Sequence, residues 1–285
     1  MKCAPFDYVR AHDLNHVLGL LSEWGSRARI LAGGQSLLPA LALRFDRPEL
    51  LIDIQDIAEL RPAPYQTRSY WRLGAMTRHV ELETSPWANE HLPLLAAAAP
   101  YIAHRAIRHR GTLGGSLVMA HPAAEWPACL LALGGQVVLQ SAGRGERRIA
   151  IDDFFTGPFQ TQRQEDELLV AVELPCQIPR HHAFREVALR KGDYAAVGLA
   201  AASLPGQHGE LNSRWVFFGV DDQPYRCISL ENALRSCADL DQALNRARVA
   251  LNNSLKTKAD PSYSAEAKKT VALHMVEEVL HEWYA

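Results

Sequence analysis

The segment Ile30-Leu31-Ala32-Gly33-Gly34-Gln35-Ser36-Leu37-Leu38-Pro39 runs from an apolar stretch straight into two glycines. Further along, Arg110-Gly111-Thr112-Leu113-Gly114-Gly115-Ser116-Leu117 repeats the device. Each offers consecutive small residues whose main-chain N–H groups can approach an anion closely, because glycine has no Cβ and tolerates positive φ. Two such turns in one chain predict one ligand with two phosphates, or a pyrophosphate gripped from both sides. No Gly-Lys-Ser/Thr follows, so neither is a Walker loop, and neither is the Gly-x-Gly-x-x-Gly of a Rossmann turn. Taken singly, each is also compatible with an ordinary tight turn.

Around the first turn the pattern is short and alternating. Asp13 predicts the cap of a helix with apolar positions Leu14, Val17, Leu18, Leu21 and Trp24, closed by Gly25. Arg29 to Leu31 reads as a buried strand, Ser36 to Leu43 as a short helix and Leu50 to Ile54 as a second strand, together a small βαβ-like unit. Trp71 to Ala75 reads as the next strand, and Thr77–Thr84 and Leu92–Ala103 as helices, the latter helped by its alanine run. After the second glycine turn, Ala123 to Leu133 reads as a helix ended by Gly134-Gly135. Val137–Leu139, Arg148–Ile151 and Leu168–Leu174 are strands, with Gly143-Arg144-Gly145 as a hairpin turn. Pro175 to Pro179 is the best linker. Beyond it, Phe184–Leu189, Val197–Ser203 and Trp215–Val220 read as a meander of strands. Helices follow near Leu230–Arg235, Leu240–Leu255 and Ala265–Trp283. The last carries Ala272, Met275, Val276, Val279 and Trp283 on one face, a core-packing stripe. The local reading is an α+β chain in three pieces, 1–55, 56–177 and 178–285.

Composition bounds the function. The chain of 285 residues is 48% hydrophobic and 22% charged, with net charge −2 when its 12 histidines are neutral. That is no basic footprint, which argues against a nucleic-acid partner. No apolar stretch reaches the roughly 20 residues of a membrane span, and the start, Met1-Lys2-Cys3-Ala4-Pro5, has no signal-peptide core, so a cytoplasmic protein is expected. Cys3, Cys129, Cys176, Cys227 and Cys237 include no Cys-x-x-Cys pair, so neither a disulfide framework nor a zinc or iron–sulfur site is expected. Any metal centre of a redox chain would then lie on other subunits. Gly-x-Ser-x-Gly is absent, and no pair of carboxylates stands out for acid–base work.

The series "LAGGQSLLP", "RPELLIDI", "IRHRGTLGGSL", "HPAAEWPA", "DFFTGPFQT", "DELLVAVELP" and "FREVALRKGDYAAVGLAAA" resembles, nearly end to end, the FAD-binding medium subunit of molybdenum hydroxylases of the xanthine dehydrogenase and carbon monoxide dehydrogenase type. The resemblance implies a two-lobed FAD-binding domain of the vanillyl-alcohol-oxidase/PCMH type, with lobe 1 at 1–55 and lobe 2 at 56–177. It further implies a C-terminal α+β domain at 178–285, an antiparallel sheet covered by helices. It assigns Ala32, Gly33, Gly34, Gln35 and Ser36 to one side of the cofactor and Gly111, Thr112, Gly114, Gly115 and Ser116 to the other. The hydroxyls of Ser36, Thr112 and Ser116 then bond phosphate or, on the alternative reading, stabilise the turns. It places Arg190-Lys191-Gly192-Asp193-Tyr194 near the flavin, with Tyr194 as the ring-covering or gating residue and Asp193 bonding the cofactor or fixing the loop.

The resemblance also implies partners: a large molybdopterin subunit, a small subunit with two [2Fe–2S] clusters, an external electron acceptor and a dimer of heterotrimers. Relatives commonly read "HADPAAE" where this chain has Met119-Ala120-His121-Pro122-Ala123-Ala124-Glu125. His121 therefore replaces an aspartate, a change that either raises the flavin potential or is merely tolerated. His104, Arg105, Arg108, His109 and Arg110 form a basic cluster that either favours the cofactor's negative charge or is a solvated surface. A self-contained FAD oxidoreductase and a scaffold that has lost flavin are the competing functions.

Overall fold

The computed structural model describes residues 2–205 and 211–285. Its first unit runs β1 (Asp7–Arg10), α1 (Leu14–Trp24), β2 (Ala28–Leu31), α2 (Leu37–Ala42) and β3 (Leu50–Asp53). The strands are parallel in the order β1-β3-β2. Asp13 caps α1 by accepting the His16 N–H at 2.8 Å, and Val17, Leu18 and Leu21 are buried, as the periodicity predicts. Strand β1 escapes the sequence reading because three of its four residues are exposed. It is held by ladder bonds to β3, with little apolar burial of its own.

The second unit continues with β4 (Tyr65–Gln66), β5 (Tyr70–Gly74) and six helices. These are α3 (His79–Thr84), α4 (Pro86–His91), α5 (Pro93–Ala98), α6 (Arg105–Arg108), α7 (Leu113–Met119) and α8 (Glu125–Leu133). Then come β6 (Gln136–Ser141), β7 (Gly145–Ala150), α9 (Ile151–Phe154), the hairpin β8 (Phe155–Gly157) and β9 (Gln160–Thr161), and β10 (Leu168–Pro175). The larger sheet is antiparallel, in the order β4-β5-β10-β6-β7. Strand β10 lies at its centre and is buried on both faces. Leu168 and Val170 pack towards the first unit, while Leu169, Val172 and Leu174 pack towards α5 and α8. This explains the unbroken apolar run Leu168–Leu174, since a strand covered on both faces need not alternate. The helix expected over Leu92–Ala103 stops at Ala98 and tightens into a 3-10 turn at Ala99–Tyr101, where Pro100 cannot continue the α ladder.

The third unit is the meander β11 (His181–Val187), β12 (Val197–Pro205), β13 (Leu211–Phe218) and β14 (Tyr225–Arg226), followed by α10 (Ile228–Leu234), α11 (Leu240–Ser254) and α12 (Ala265–Trp283). Its strands obey the period of two. Leu199, Ala201, Trp215 and Phe217 face the three helices, whereas Ala200, Ala202, Val216 and Phe218 face the second unit. The expected helix cover is present, with Ala272, Met275, Val276 and Val279 of α12 in that core. The opposite face is also covered, chiefly by α8. All nine residues of α8 are buried, as an all-round apolar helix must be, and Pro127 falls in its first turn, where no helical N–H is lost.

Candidate functional site

A cavity of about 900 Å³ runs from α1 and β2, past the ends of β5 and β10, to the loop before β12. Its walls are more apolar than polar. Every candidate residue lines it: Ala32 through Ser36, Gly111, Thr112, Gly114 through Ser116, Asp193 and Tyr194. Segments distant in sequence thus converge on one site.

The first glycine segment is an open cradle. Strand β2 delivers Ala32, and Gly34 at φ +74 turns the chain. The Gln35 side chain donates to the Gly33 carbonyl at 2.9 Å, and the Leu38 N–H donates to Gly34 O at 3.0 Å, starting α2. Among the described residues nothing accepts from the N–H groups of Gly33, Gly34, Gln35 or Ser36. Backbone donors facing a cavity without partners are what an anion requires.

The second segment differs from the expected turn. Leu113–Met119 is helical, capped by Thr112 Oγ1, which accepts the Gly115 N–H at 3.1 Å. Gly111 donates to Ile107 O (2.7 Å), Leu113 to Thr77 O (2.9 Å), Gly114 to Ala75 O (2.8 Å) and Ser116 to Thr112 O (3.0 Å). Its backbone donors are therefore spent inside the protein, apart from the Thr112 N–H. The physical reason is packing: a Cβ on Gly114 would stand 2.7 Å from the Ala75 Cβ. These glycines let α7 press against the chain after β5, and the open donors come mostly from the first segment.

At the other end lie aromatic groups. His121 and Tyr194 stack with ring centroids 3.8 Å apart and planes 9° apart, and Phe159 meets His121 edge-on at 5.2 Å. His121 Nδ1 accepts the Ala123 N–H at 3.1 Å, which leaves the hydrogen of the neutral ring on Nε2. Burial holds its pKa below the ordinary histidine value, so it is uncharged at neutral pH. Gly192, at φ +88, turns the loop that presents Asp193 and Tyr194.

The basic cluster does not act as one. Arg108 turns inward, pairing with Glu83 at 2.7 and 3.0 Å and donating to Ile102 O and Ala103 O, while Arg110 donates to Gln55 at 2.5 Å. Sequence reasoning missed several wall residues. His79 is buried and receives the Trp126 indole N–H on Nδ1 at 2.9 Å. Burial, then the charges of Arg78 and Arg108, press its pKa down to about 3. Glu125 is buried on the wall and pushed up to about 7 by desolvation. Phe159 and Arg163 also line the cavity. The motif quoted around His121 ends on Glu125, a signal that went unused. His79 and Arg163 carry no local signal.

A cradle of free backbone donors after a parallel strand, opening into a long and mostly apolar cavity, defines a site for a ligand with an anionic end. The sequence pattern described as "FAD binding domain in molybdopterin dehydrogenase" matches residues 4–177, and "CO dehydrogenase flavoprotein C-terminal domain" matches 182–283. The chain belongs to the FAD-binding medium-subunit family of the molybdenum hydroxylases. It is 37% identical to the 6-hydroxypseudooxynicotine dehydrogenase complex subunit alpha of Paenarthrobacter nicotinovorans, over 99% of this chain and 96% of that one. It is 39% identical to the caffeine dehydrogenase subunit beta of a Pseudomonas species, over 82% and 79% of the two chains. A chain of carbon monoxide dehydrogenase from Hydrogenophaga pseudoflava superposes with TM-score 0.92 at 33% identity, covering 99% of this chain and 98% of that one. Quinoline 2-oxidoreductase from Pseudomonas putida superposes with TM-score 0.90, also at 33% identity and with the same coverage. Among the described residues no helix is long and apolar enough to cross a membrane.

Proposed function

We propose that this chain holds FAD in the 900 Å³ cavity and serves as the electron-transfer subunit of a heterotrimeric molybdenum hydroxylase. Its domains on this reading are lobe 1 at 1–55, lobe 2 at 56–177 and the C-terminal domain at 178–285. The observation that carries the reading is the convergence of the open N–H groups of Gly33 to Ser36, the α7 segment and the Asp193–Tyr194 loop on one cavity. The fit is physical. The cradle supplies donors for a pyrophosphate without a cationic side chain, and its glycine at 34 has the backbone that such a turn needs. The hydroxyls of Ser36 and Ser116 add donors, and Thr112 offers its N–H. The apolar walls exclude water from the rest of the ligand.

Bound flavin supplies electron storage between one-electron and two-electron partners. The residues of this chain bind and orient it: the cradle fixes the phosphate end, and the Tyr194–His121 stack borders the other. The chain takes electrons from [2Fe–2S] clusters on a small partner subunit and passes them to an external acceptor. Substrate chemistry belongs to a large molybdopterin subunit, and the complex is a dimer of heterotrimers in the cytoplasm. The naming of several relatives as subunits or medium chains supports this division.

The test is the visible spectrum of the native purified complex, with acid-released flavin identified and metals counted. FAD, molybdenum and iron on co-purifying subunits support the reading. FAD on this chain alone, active without partners, overturns it in favour of a self-contained flavoenzyme. No flavin after reconstitution with the partners leaves the scaffold.

A further inference from the structure

Among the described residues two arginines line the cavity, and they differ in how they are partnered. Arg29 is committed. Its Nε donates to Asp46 at 2.7 Å, and its Nη1 donates to the carbonyls of Ser26 and Ala28 at 2.7 and 2.9 Å. Arg163 is half-buried and held by one nitrogen alone. Its Nη1 donates to Gln164 O at 2.9 Å and to Glu167 O at 2.7 Å. Among the described residues its Nε and Nη2 have no partner, and no carboxylate forms an ion pair with it. The Glu167 carboxylate is taken by Arg147 instead, at 2.6 and 2.8 Å. A guanidinium cannot shed its proton to ease its burial. A planar cation with free donors therefore faces the cavity without a counter-charge.

Its place along the cavity is fixed by contacts. Arg163 lies in the loop between β9 and β10, and that loop meets the end of α1: a Cβ on Gly25 would stand 3.7 Å from Glu165 Oε2. Arg29 reaches the same corner through Ser26 O. The corner is at the start of β2, whereas the cradle follows its end. The three steps from Arg29 to Ala32 span roughly 10 Å at about 3.3 Å per residue. The Tyr194 loop joins the cradle from its other side. Gly33 abuts the Arg110 carbonyl, α6 leads back to His104, and a Cβ on Gly192 would stand 2.7 Å from the His104 ring. The cradle thus has the Arg163 corner on one side and the Tyr194–His121 stack on the other. A ligand with its pyrophosphate on the cradle has one arm for each.

We propose that Arg163 holds the adenosine arm of the dinucleotide, its open guanidinium meeting the purine. The nucleoside takes this end because the aromatic stack borders the flavin ring at the other. A base suits the corner: every base has a π face, and the flat guanidinium stacks on such a face while Nη1 keeps its own bonds. The walls beside it, Leu21, Ile30 and Leu168, are apolar. Arg163 is then a specificity residue, contributing to a dinucleotide flavin and nothing to a mononucleotide. The inference rests on the reading that the cavity holds FAD.

The experiment strips flavin from the complex and measures affinities for FAD, ADP and FMN. FAD and FMN are followed by flavin fluorescence, and ADP by competition with FAD, in wild type, Arg163→Leu and Arg163→Lys. Arg163→Leu should weaken FAD and ADP by the same factor, about tenfold or more, and leave FMN unchanged. Arg163→Lys keeps the charge without the plane and should weaken FAD and ADP in the same direction, by less. Unchanged FAD and ADP binding in Arg163→Leu, or an equal loss of all three ligands, overturns the assignment and leaves the cofactor reading intact. A wild-type complex that takes up no flavin overturns both. Should Arg163→Leu fail to fold, because the Nη1 bonds hold the loop, Arg163→Lys decides alone by the same comparison of FAD with FMN.

Discussion

A Cβ placed on Gly33 would stand 2.3 Å from the carbonyl oxygen of Arg110, so the two glycine segments meet backbone to backbone. The close approach leaves no room at position 33 for a side chain.

Gly33→Ala is therefore expected to remove flavin and to lower stability by about 1–3 kcal/mol, the usual range for overpacking against groups that cannot yield. The control is Gly143→Ala in the β6–β7 turn, where an added Cβ meets nothing within 4 Å. It should stay within about 0.5 kcal/mol of wild type. Flavin content and urea midpoints check both. A Gly33→Ala protein with full flavin would show that the cradle does not hold the cofactor.

His79 and Glu125 give opposing pH dependences of stability. His79 titrates near 3 in the folded protein against an ordinary 6.5, so its contribution is present above 6.5 and lost as pH falls towards 3. Glu125 titrates near 7 against an ordinary 4.5, so its contribution is present below 4.5 and lost as pH rises to 7. Between pH 5 and 6.5 each contributes a change of about 2 kcal/mol, and the signs cancel. Urea midpoints should tilt in opposite directions for the single variants. His79→Asn leaves stability falling with rising pH, and Glu125→Gln leaves it rising. Parallel profiles for both variants would refute the assignment.

The backbone of the first segment was legible because its pattern is local: a strand, two glycines and a hydroxyl in succession. The second was misread because small residues suit both an open turn and a helix pressed against a neighbour. Only the position of Ala75, brought in by β5, decides between them. Strand β1 was illegible for want of buried side chains. Nothing local in the sequence places Tyr194 on the cavity wall against His121, because the two are 73 residues apart and meet only in the fold.

Asp152, at the start of α9, joins the second and third units. It accepts from Arg214 and Arg226 at 2.9 Å each, and Arg226 also pairs with Glu231. Burial alone would raise the Asp152 pKa, but the bonds and charges of Arg226 and Arg214 prevail and hold it low. The site is partly solvated, so Asp152→Asn should lower stability by only about 1 kcal/mol, and less at high salt. Differential scanning calorimetry at low and at molar salt checks this. A loss unchanged by salt would point to packing rather than charge.

The Tyr194–His121 stack yields the last expectation. Because burial keeps His121 neutral, it differs from the aspartate that the resemblance leads one to expect there by lacking a negative charge, not by bearing a positive one. Introducing a negative charge with His121→Asp should make reduction of the bound flavin less favourable, by on the order of 1 kcal/mol per electron through a partly screened site. His121→Asn should leave the potential near wild type, because it adds no charge. Tyr194→Ala removes the face that His121 stacks on and opens the cavity mouth, so reoxidation by small acceptors should speed up while the potential moves little. Spectroelectrochemical midpoints and stopped-flow reoxidation separate the two effects. A His121→Asn shift as large as that of His121→Asp would mean that ring packing, not charge, sets the potential. Unchanged reoxidation and an unchanged flavin spectrum in Tyr194→Ala would remove Tyr194 from the ring site altogether.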